Sequence, residues 1–164
     1  MREQTPKGMR LHIGIFGRTN VGKSSLLNAI TQQDVAIVAP TPGTTTDPVE
    51  KAMELLPIGP VLFIDTGGID DGEALGPERV ARTERVIERT DLAILVTEPN
   101  VWSAYEEGLL AHFAQRRVPA MVAINKTDLR PASEEIRQRL ARHAVPFVEV
   151  SATASGWETT ARVK

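Results

Sequence analysis

Cysteine is absent from this chain, which excludes disulfides, thiolate-bound zinc and cysteine-ligated iron–sulfur clusters within these residues. A reducing compartment is the natural setting, and the expected location is cytoplasmic. Long apolar runs are missing as well. No stretch approaches the ~18 residues that a membrane-crossing helix needs, and the N-terminal MREQTPKGMR lacks the apolar centre of a secretory signal, so no membrane partner is expected. Neither sign of charge dominates: 19 basic against 21 acidic residues leave a net charge of −2. Nothing in that balance supports an extended nucleic-acid surface, and nucleic acid is not an expected partner. His12, His112 and His143 are scattered without ligand spacing and read as strand, helix-face and helix-end residues. What remains, 164 residues of which 41% are hydrophobic and 24% charged, is enough for one domain that closes its own core. Residues 1–9 read as an N-terminal extension of that single domain, 1–164.

Short β-rich runs alternate with longer helix-compatible ones: LHIGIF then SSLLNAITQ, VLFID then ERVARTERVIER, LAILVT then AYEEGLLAHFAQR, AMVAIN then SEEIRQRLARH, and FVEVS last. The apolar runs are nearly continuous, as in strands covered by helices on both faces. The expected fold class is therefore α/β with a mostly parallel sheet. One interval breaks the rhythm, because only Pro57-Ile-Gly-Pro60 separates VEKAMELL from VLFID. That is too short for a crossover helix and predicts an antiparallel hairpin strand at one edge. Pro119 and Pro146 each open a strand, Thr90 and Asp91 separate a helix from a strand, and Ser133 ahead of Glu134 and Glu135 starts a helix. The terminal GWETTARVK is expected to begin a final helix, truncated, with any downstream domains absent.

Between the first strand and the first helix stands Gly17-Arg-Thr-Asn-Val-Gly-Lys-Ser24. It fits G-x-x-x-x-G-K-[ST] in the strand-to-helix context that this phosphate-loop pattern requires. Glycines let the main chain curl so that successive N–H groups converge on an anion, and the following helix adds the positive end of its dipole. The phosphate-binding set is Gly17, Arg18, Thr19, Asn20, Val21, Gly22, Lys23, Ser24 and Ser25, with Lys23 reaching the β- and γ-phosphates and the Ser24 hydroxyl on Mg²⁺.

Asn125-Lys-Thr-Asp128 follows AMVAI and falls at the C-terminal edge of the sheet, where open α/β folds bind ligands. Asp128 can accept from the N1–H and 2-amino groups of guanine, whereas adenine offers neither and would leave a buried carboxylate unpaired. The expected base is guanine. Asn125 can bridge loops, the Lys126 stem can lie along the base, and the Ser151-Ala152 main chain, at the end of the final strand, can meet the guanine carbonyl. Asp65-Thr-Gly-Gly68 ends VLFI: Asp65 serves Mg²⁺ through water, and the Gly68 N–H meets a γ-phosphate. In Pro40-Thr-Pro-Gly-Thr-Thr-Thr-Asp47, Thr44 and Thr45 are nucleotide contacts. Thr45 is the candidate Mg²⁺ ligand, whose loss on hydrolysis would release the loop.

GRTNVGKS, TPGTTTD, DTGG, NKTD and SAT occur in this order over Gly17 to Thr153. Together they resemble the TrmE–Era–EngA–HydF group of translation-factor-related small GTPases. That resemblance implies a P-loop NTPase three-layer fold, GTP/GDP and Mg²⁺ as ligands, GTP hydrolysis, and a K⁺ held by Asn20 beside the phosphates, where it would act as an arginine finger does. The catalytic set it implies is Lys23, Asn20, Thr45 and Gly68. Thr19, where members often carry proline, and Thr46, where many carry arginine, depart from the group's pattern. Ile69 stands where a water-orienting glutamine could be, so turnover is expected to be slow. TTTDPV and LLPIGPV look most like the HydF family of [FeFe]-hydrogenase maturation GTPases. Likeness to that family implies a homodimer in the full-length form, with radical SAM maturases and the hydrogenase apoprotein as partners. Two other functions stay open: a ribosome- or RNA-linked GTPase of the Era or EngA kind, and a GTP-responsive module with negligible hydrolysis.

Arg79, Arg82, Arg85 and Arg89 make a stripe at helical spacing, read as a solvated face laced to Glu78, Glu84 and Glu88 or as a relay from the neighbouring DTGG loop to a partner. Trp102 and Trp157 flank the helices and are expected to pack, with Trp102 a candidate partner contact.

Overall fold

The computed structural model describes residues 9–18, 20–31, 49–55, 57–66, 76–153 and 156–159. In chain order these form β1 (Leu11–Phe16), α1 (Lys23–Thr31), β2 (Val49–Leu55), β3 (Gly59–Asp65), α2 (Gly76–Glu88), β4 (Leu92–Thr97), α3 (Ala104–Gln115), β5 (Ala120–Ile124), α4 (Glu134–His143), β6 (Phe147–Thr153) and β7 (Gly156–Thr159). The strands lie in the order β2-β3-β1-β4-β5-β6, with β7 added beyond β6. All pairs from β3 to β6 are parallel, while β2 runs antiparallel to β3 from Val49↔Asp65 to Leu55↔Gly59, as the short Pro57–Pro60 link requires.

Alternation along each strand splits the core into two layers. Ile13 and Ile15 of β1, Val61 and Phe63 of β3 and Ile94 and Val96 of β4 pack with Leu26 and Leu27 of α1 on one face. Phe16, Leu62, Ile64 and Leu95 point the other way, onto Val86 and Ile87 of α2, Leu109 and Phe113 of α3 and Ile136 and Leu140 of α4. Phe16 and Phe113 meet edge to face, with ring centroids 4.9 Å apart. Burying both faces is what makes the strand sequences apolar nearly throughout. The architecture is a mixed α/β fold with helices on both faces of a mostly parallel sheet.

Helix starts follow local chemistry. Ser133 caps α4, its side chain accepting from the Ile136 N–H, and the helix closes on Ala144 in the left-handed region. Ser103 caps α3 in a capping box with Glu106. One expectation is corrected. Gly156–Thr159 is a strand rather than the beginning of a helix, paired antiparallel with β6 from Val150↔Thr159 to Thr153↔Gly156. Trp157 and Thr159 favour a pleated surface, and pairing covers the edge that β6 would otherwise present. In α2 the acidic residues reach beyond their own helix: Glu84 pairs with His112 at 2.5 Å and Arg116 at 3.0 Å, and Glu88 with Arg116 at 3.6 Å, all across to α3. Arg89 reaches Glu50 of β2. The charges on α2 therefore fasten it to its neighbours as well as facing water.

Candidate nucleotide site

Parallel register aligns the strand ends. Ile15 is level with Asp65, Phe16 with Leu95 and Thr97 with Ile124, so the loops after β1, β3, β4 and β5 emerge along one edge of the sheet. The first of these carries the glycines. Gly17 has φ +145°, and a Cβ there would lie 2.4 Å from the Val96 carbonyl oxygen. Gly22 has φ +97°, and its Cβ would lie 2.2 Å from Asn125 Nδ2. Both need a residue without a side chain, for conformation and for space. Asn20 adopts φ 65°, the left-handed region that asparagine tolerates better than most residues. That is a backbone reason for the asparagine which its spacing in the sequence did not supply.

The loop runs into α1 with Leu26 N–H bonded to the Gly22 carbonyl at 2.8 Å, so the first-turn N–H groups, including those of Ser24 and Ser25, lack intrahelical acceptors by the geometry of a helix start. Val21 is buried in the α1-side core, and Ser24 and Ser25 are exposed at the mouth. Lys23 is buried, and its ammonium donates to the carbonyls of Gly17 and, at 2.9 Å, Arg18, bracing the loop from within. Ser24 Oγ donates to Asp65 Oδ2 at 3.3 Å. Thus two predicted Mg²⁺-site oxygens, from α1 and from the end of β3, lie side by side. A hydroxyl and a buried carboxylate form a hard oxygen pair that suits Mg²⁺. Thr66, the next residue, is fixed by its hydroxyl to the Ile15 carbonyl at 2.7 Å.

Asn125 ties the base-side loop to the phosphate side: its buried Nδ2 donates to the Val21 carbonyl at 2.9 Å. Lys126 donates to the Asn20 carbonyl at 2.7 Å and pairs with Glu98 at 2.5 Å, so its stem crosses between the two loops. Thr127 is anchored through its hydroxyl to the Val150 carbonyl of β6 at 2.8 Å. Asp128 stands exposed just beyond, not buried as its sequence reading assumes. Ser151 is buried, and Ser151 and Ala152 lie within the β6–β7 ladder, opposite Glu158 and Trp157, rather than at a strand end. The return of β7 carries the pairing past them. Thr19, Thr44, Thr45 and Gly68 lie outside the described residues.

Sequence reasoning missed a cluster on the outer side of the loop. Arg18 Nε donates to Glu106 Oε1 at 2.7 Å and Nη2 to Glu106 Oε2 at 3.1 Å and to Ser103 Oγ, with the guanidinium 4.9 Å from the centre of the Tyr105 ring. The Glu106 carboxylate holds the Arg18 guanidinium above its ordinary pKa, against the opposing pull of burial. Glu106 closes the capping box of α3, and its pairing with a side chain 88 positions away is a tertiary fact. Trp102 packs onto the core and donates its indole N–H to Glu107 at 2.8 Å, a contact within the domain.

Residues 12–126 match the family described as 50S ribosome-binding GTPase. Among curated proteins, the tRNA modification GTPase MnmE of Heliobacterium modesticaldum is 39% identical over 96% of this chain and 34% of its own length. The GTPase Der of Wolinella succinogenes is 36% identical over 90% of this chain and 32% of its own. A crystal structure of Era in complex with MgGDPNP and nucleotides 1506–1542 of 16S ribosomal RNA superposes with a TM-score of 0.65 at 28% identity, covering 86% of this chain and 50% of that one. The chain thus spans about a third of the length of the curated relatives it matches. The mixed α/β architecture is a P-loop GTPase fold, and the chain belongs to the 50S ribosome-binding GTPase family as a GTP-binding GTPase domain of the MnmE, Era and Der type.

Proposed function

We propose that this domain binds GTP with Mg²⁺ and hydrolyses it slowly, with K⁺ stimulation, as a conformational switch. The observation that carries the reading is the 3.3 Å approach of Ser24 Oγ to Asp65 Oδ2 at the mouth of the glycine loop, with Asn125 fastening the base-side loop to the same backbone. Ser24 and Asp65 would hold Mg²⁺, Asp65 through water, and Thr45 would complete the set. When bound, the ion neutralises charge on the β- and γ-phosphates. The chain's own groups orient the substrate: loop amides and Lys23 grip the phosphates, and Asp128 selects guanine. Asn20 would offer its amide oxygen to a K⁺ beside the phosphates, a reading that its exposure in the loop supports. Ile69 offers no group to orient water, which supports slow turnover.

Two biological settings fit this switch. Likeness of TTTDPV and LLPIGPV to the HydF family favours [FeFe]-hydrogenase cofactor maturation, in a homodimeric full-length protein with radical SAM maturases and the hydrogenase apoprotein as partners. Era's structure with a 16S RNA fragment, and the tRNA-modification role in MnmE's name, favour an RNA-linked one. Turnover measured in K⁺ and in Na⁺ tests the catalytic part. The expected result is faster hydrolysis in K⁺ for the unaltered chain and loss of that preference in Asn20→Ala; equal rates in the two salts would refute the cation role.

A further inference from the structure

The clamp on Arg18 has a consequence for the loop it belongs to. Glu106 is an almost fully buried carboxylate whose side chain is 2% exposed. It accepts from Arg18 through both oxygens, the two-pronged geometry that fixes a guanidinium in orientation as well as position. Ser103 adds a third contact to the same guanidinium, and the Tyr105 ring supports its face. Arg18 is also the residue whose carbonyl receives Lys23 Nζ at 2.9 Å and the Val21 N–H at 3.5 Å. Fixing its side chain therefore fixes the peptide on which the phosphate-loop lysine rests. On the other limb of the loop, the Asn20 carbonyl is held by Lys126, which is paired with Glu98. Glu98, Ser103 and Glu106 all belong to the connection between β4 and the first turn of α3. One short segment thus braces the loop on both sides of its left-handed residue.

We propose that Glu106, supported by Ser103, is a positioning residue for the phosphate loop: by holding Arg18 against the start of α3 it keeps the loop main chain and the Lys23 bracket in the conformation that retains the nucleotide. Glu106 touches no substrate. It acts through Arg18, and its effect belongs mainly on nucleotide release, because a braced loop must open before the phosphates leave. This inference rests on the nucleotide reading of the site.

The test is stopped-flow release of fluorescently labelled GDP from the chain in Mg²⁺ buffer, alongside thermal melting, for wild type, Glu106→Gln, Arg18→Ala and the double variant. Glu107→Gln serves as control, being the adjacent residue on α3, paired among the described residues with Trp102, Arg139 and His143. Arg18→Lys, which keeps the charge and loses the fork, covers the case in which a truncation fails to fold. Release is expected to quicken about tenfold in Glu106→Gln and Arg18→Ala, the size of one charge-assisted hydrogen bond. The double variant should be no faster than either single, Arg18→Lys should fall between, and Glu107→Gln should lower the melting temperature with release unchanged. Release at the wild-type rate in Glu106→Gln, or effects that add in the double variant, would overturn the positioning role. Failure of the wild type to bind GDP would instead overturn the nucleotide reading beneath it.

Discussion

At Gly22 two demands meet on one residue: a φ of +97° that L side chains rarely adopt, and the amide of Asn125 occupying the space where a Cβ would go, 2.2 Å away. Asn125 cannot retreat cheaply, since its Nδ2 is buried and bonded to the Val21 carbonyl. Gly22→Ala is therefore expected to cost about 1–3 kcal/mol, lowering the melting temperature by roughly 3–10 °C and weakening GDP binding more than about tenfold. Calorimetric melting and a GDP titration check this, and an alanine variant with both properties intact would contradict the account of the loop. At this scale the sequence was legible wherever chemistry is encoded in a few adjacent positions. Gly17, Gly22, Lys23 and Ser24 are recognisable because an anion nest needs those residue types at that spacing. Asn125 could be read as a bridge because its loop follows a strand of the same sheet. The Arg18–Glu106 pair could not, since nothing in local spacing records a contact across 88 positions.

The elements themselves were legible from periodicity and punctuation, including the antiparallel β2, whose link of Pro57 to Pro60 left no room for a crossover. β7 was not, because a four-residue stretch with one tryptophan and one threonine has no decisive period and is settled by the open edge of β6 beside it. Side-chain pairing between elements was likewise hidden: Glu84 and Glu88 have suitable partners on their own helix, yet turn to α3. The contact between α3 and α4 gives a prediction with a sign. Glu107 accepts from Trp102, from His143 at 2.7 Å and from Arg139 at 3.5 Å. These bonds, Trp102 first, hold its carboxyl below the ordinary value of 4.5, against the smaller opposing effect of burial. A carboxyl lowered on folding stabilises the protein above its unfolded-state pKa, and that contribution disappears as pH falls through the lower, folded-state value. Melting temperatures measured from neutral pH downward should therefore show Glu107→Gln less stable than wild type at neutral pH, the gap closing under acid. A gap that is constant with pH would refute the charge-dependent part of this contact.

For the whole molecule, alternation along the strands sorts the apolar residues into two layers, α1 on one and α2, α3 and α4 on the other. Parallel register then brings the loops after β1, β3, β4 and β5 to one edge. Residues from distant parts of the chain, Ser24 and Asp65 among them, become neighbours only through that arrangement. The fold was thus readable from the order of strand and helix patterns, and the position of the site followed from the fold, whereas the braces that hold the loop in place did not. Among the described residues no helix is long and apolar enough to cross a membrane. The central claim is that this edge grips a guanine nucleotide, and its most direct test is isothermal titration of nucleotide-stripped, folded protein with GDP, GTP, ADP and ATP in magnesium buffer. The account predicts saturable binding of GDP and GTP and at least about a hundredfold weaker binding of the adenine nucleotides, because adenine leaves Asp128 without its donors. Absence of heat with both guanine nucleotides, or adenine nucleotides bound equally well, would contradict it.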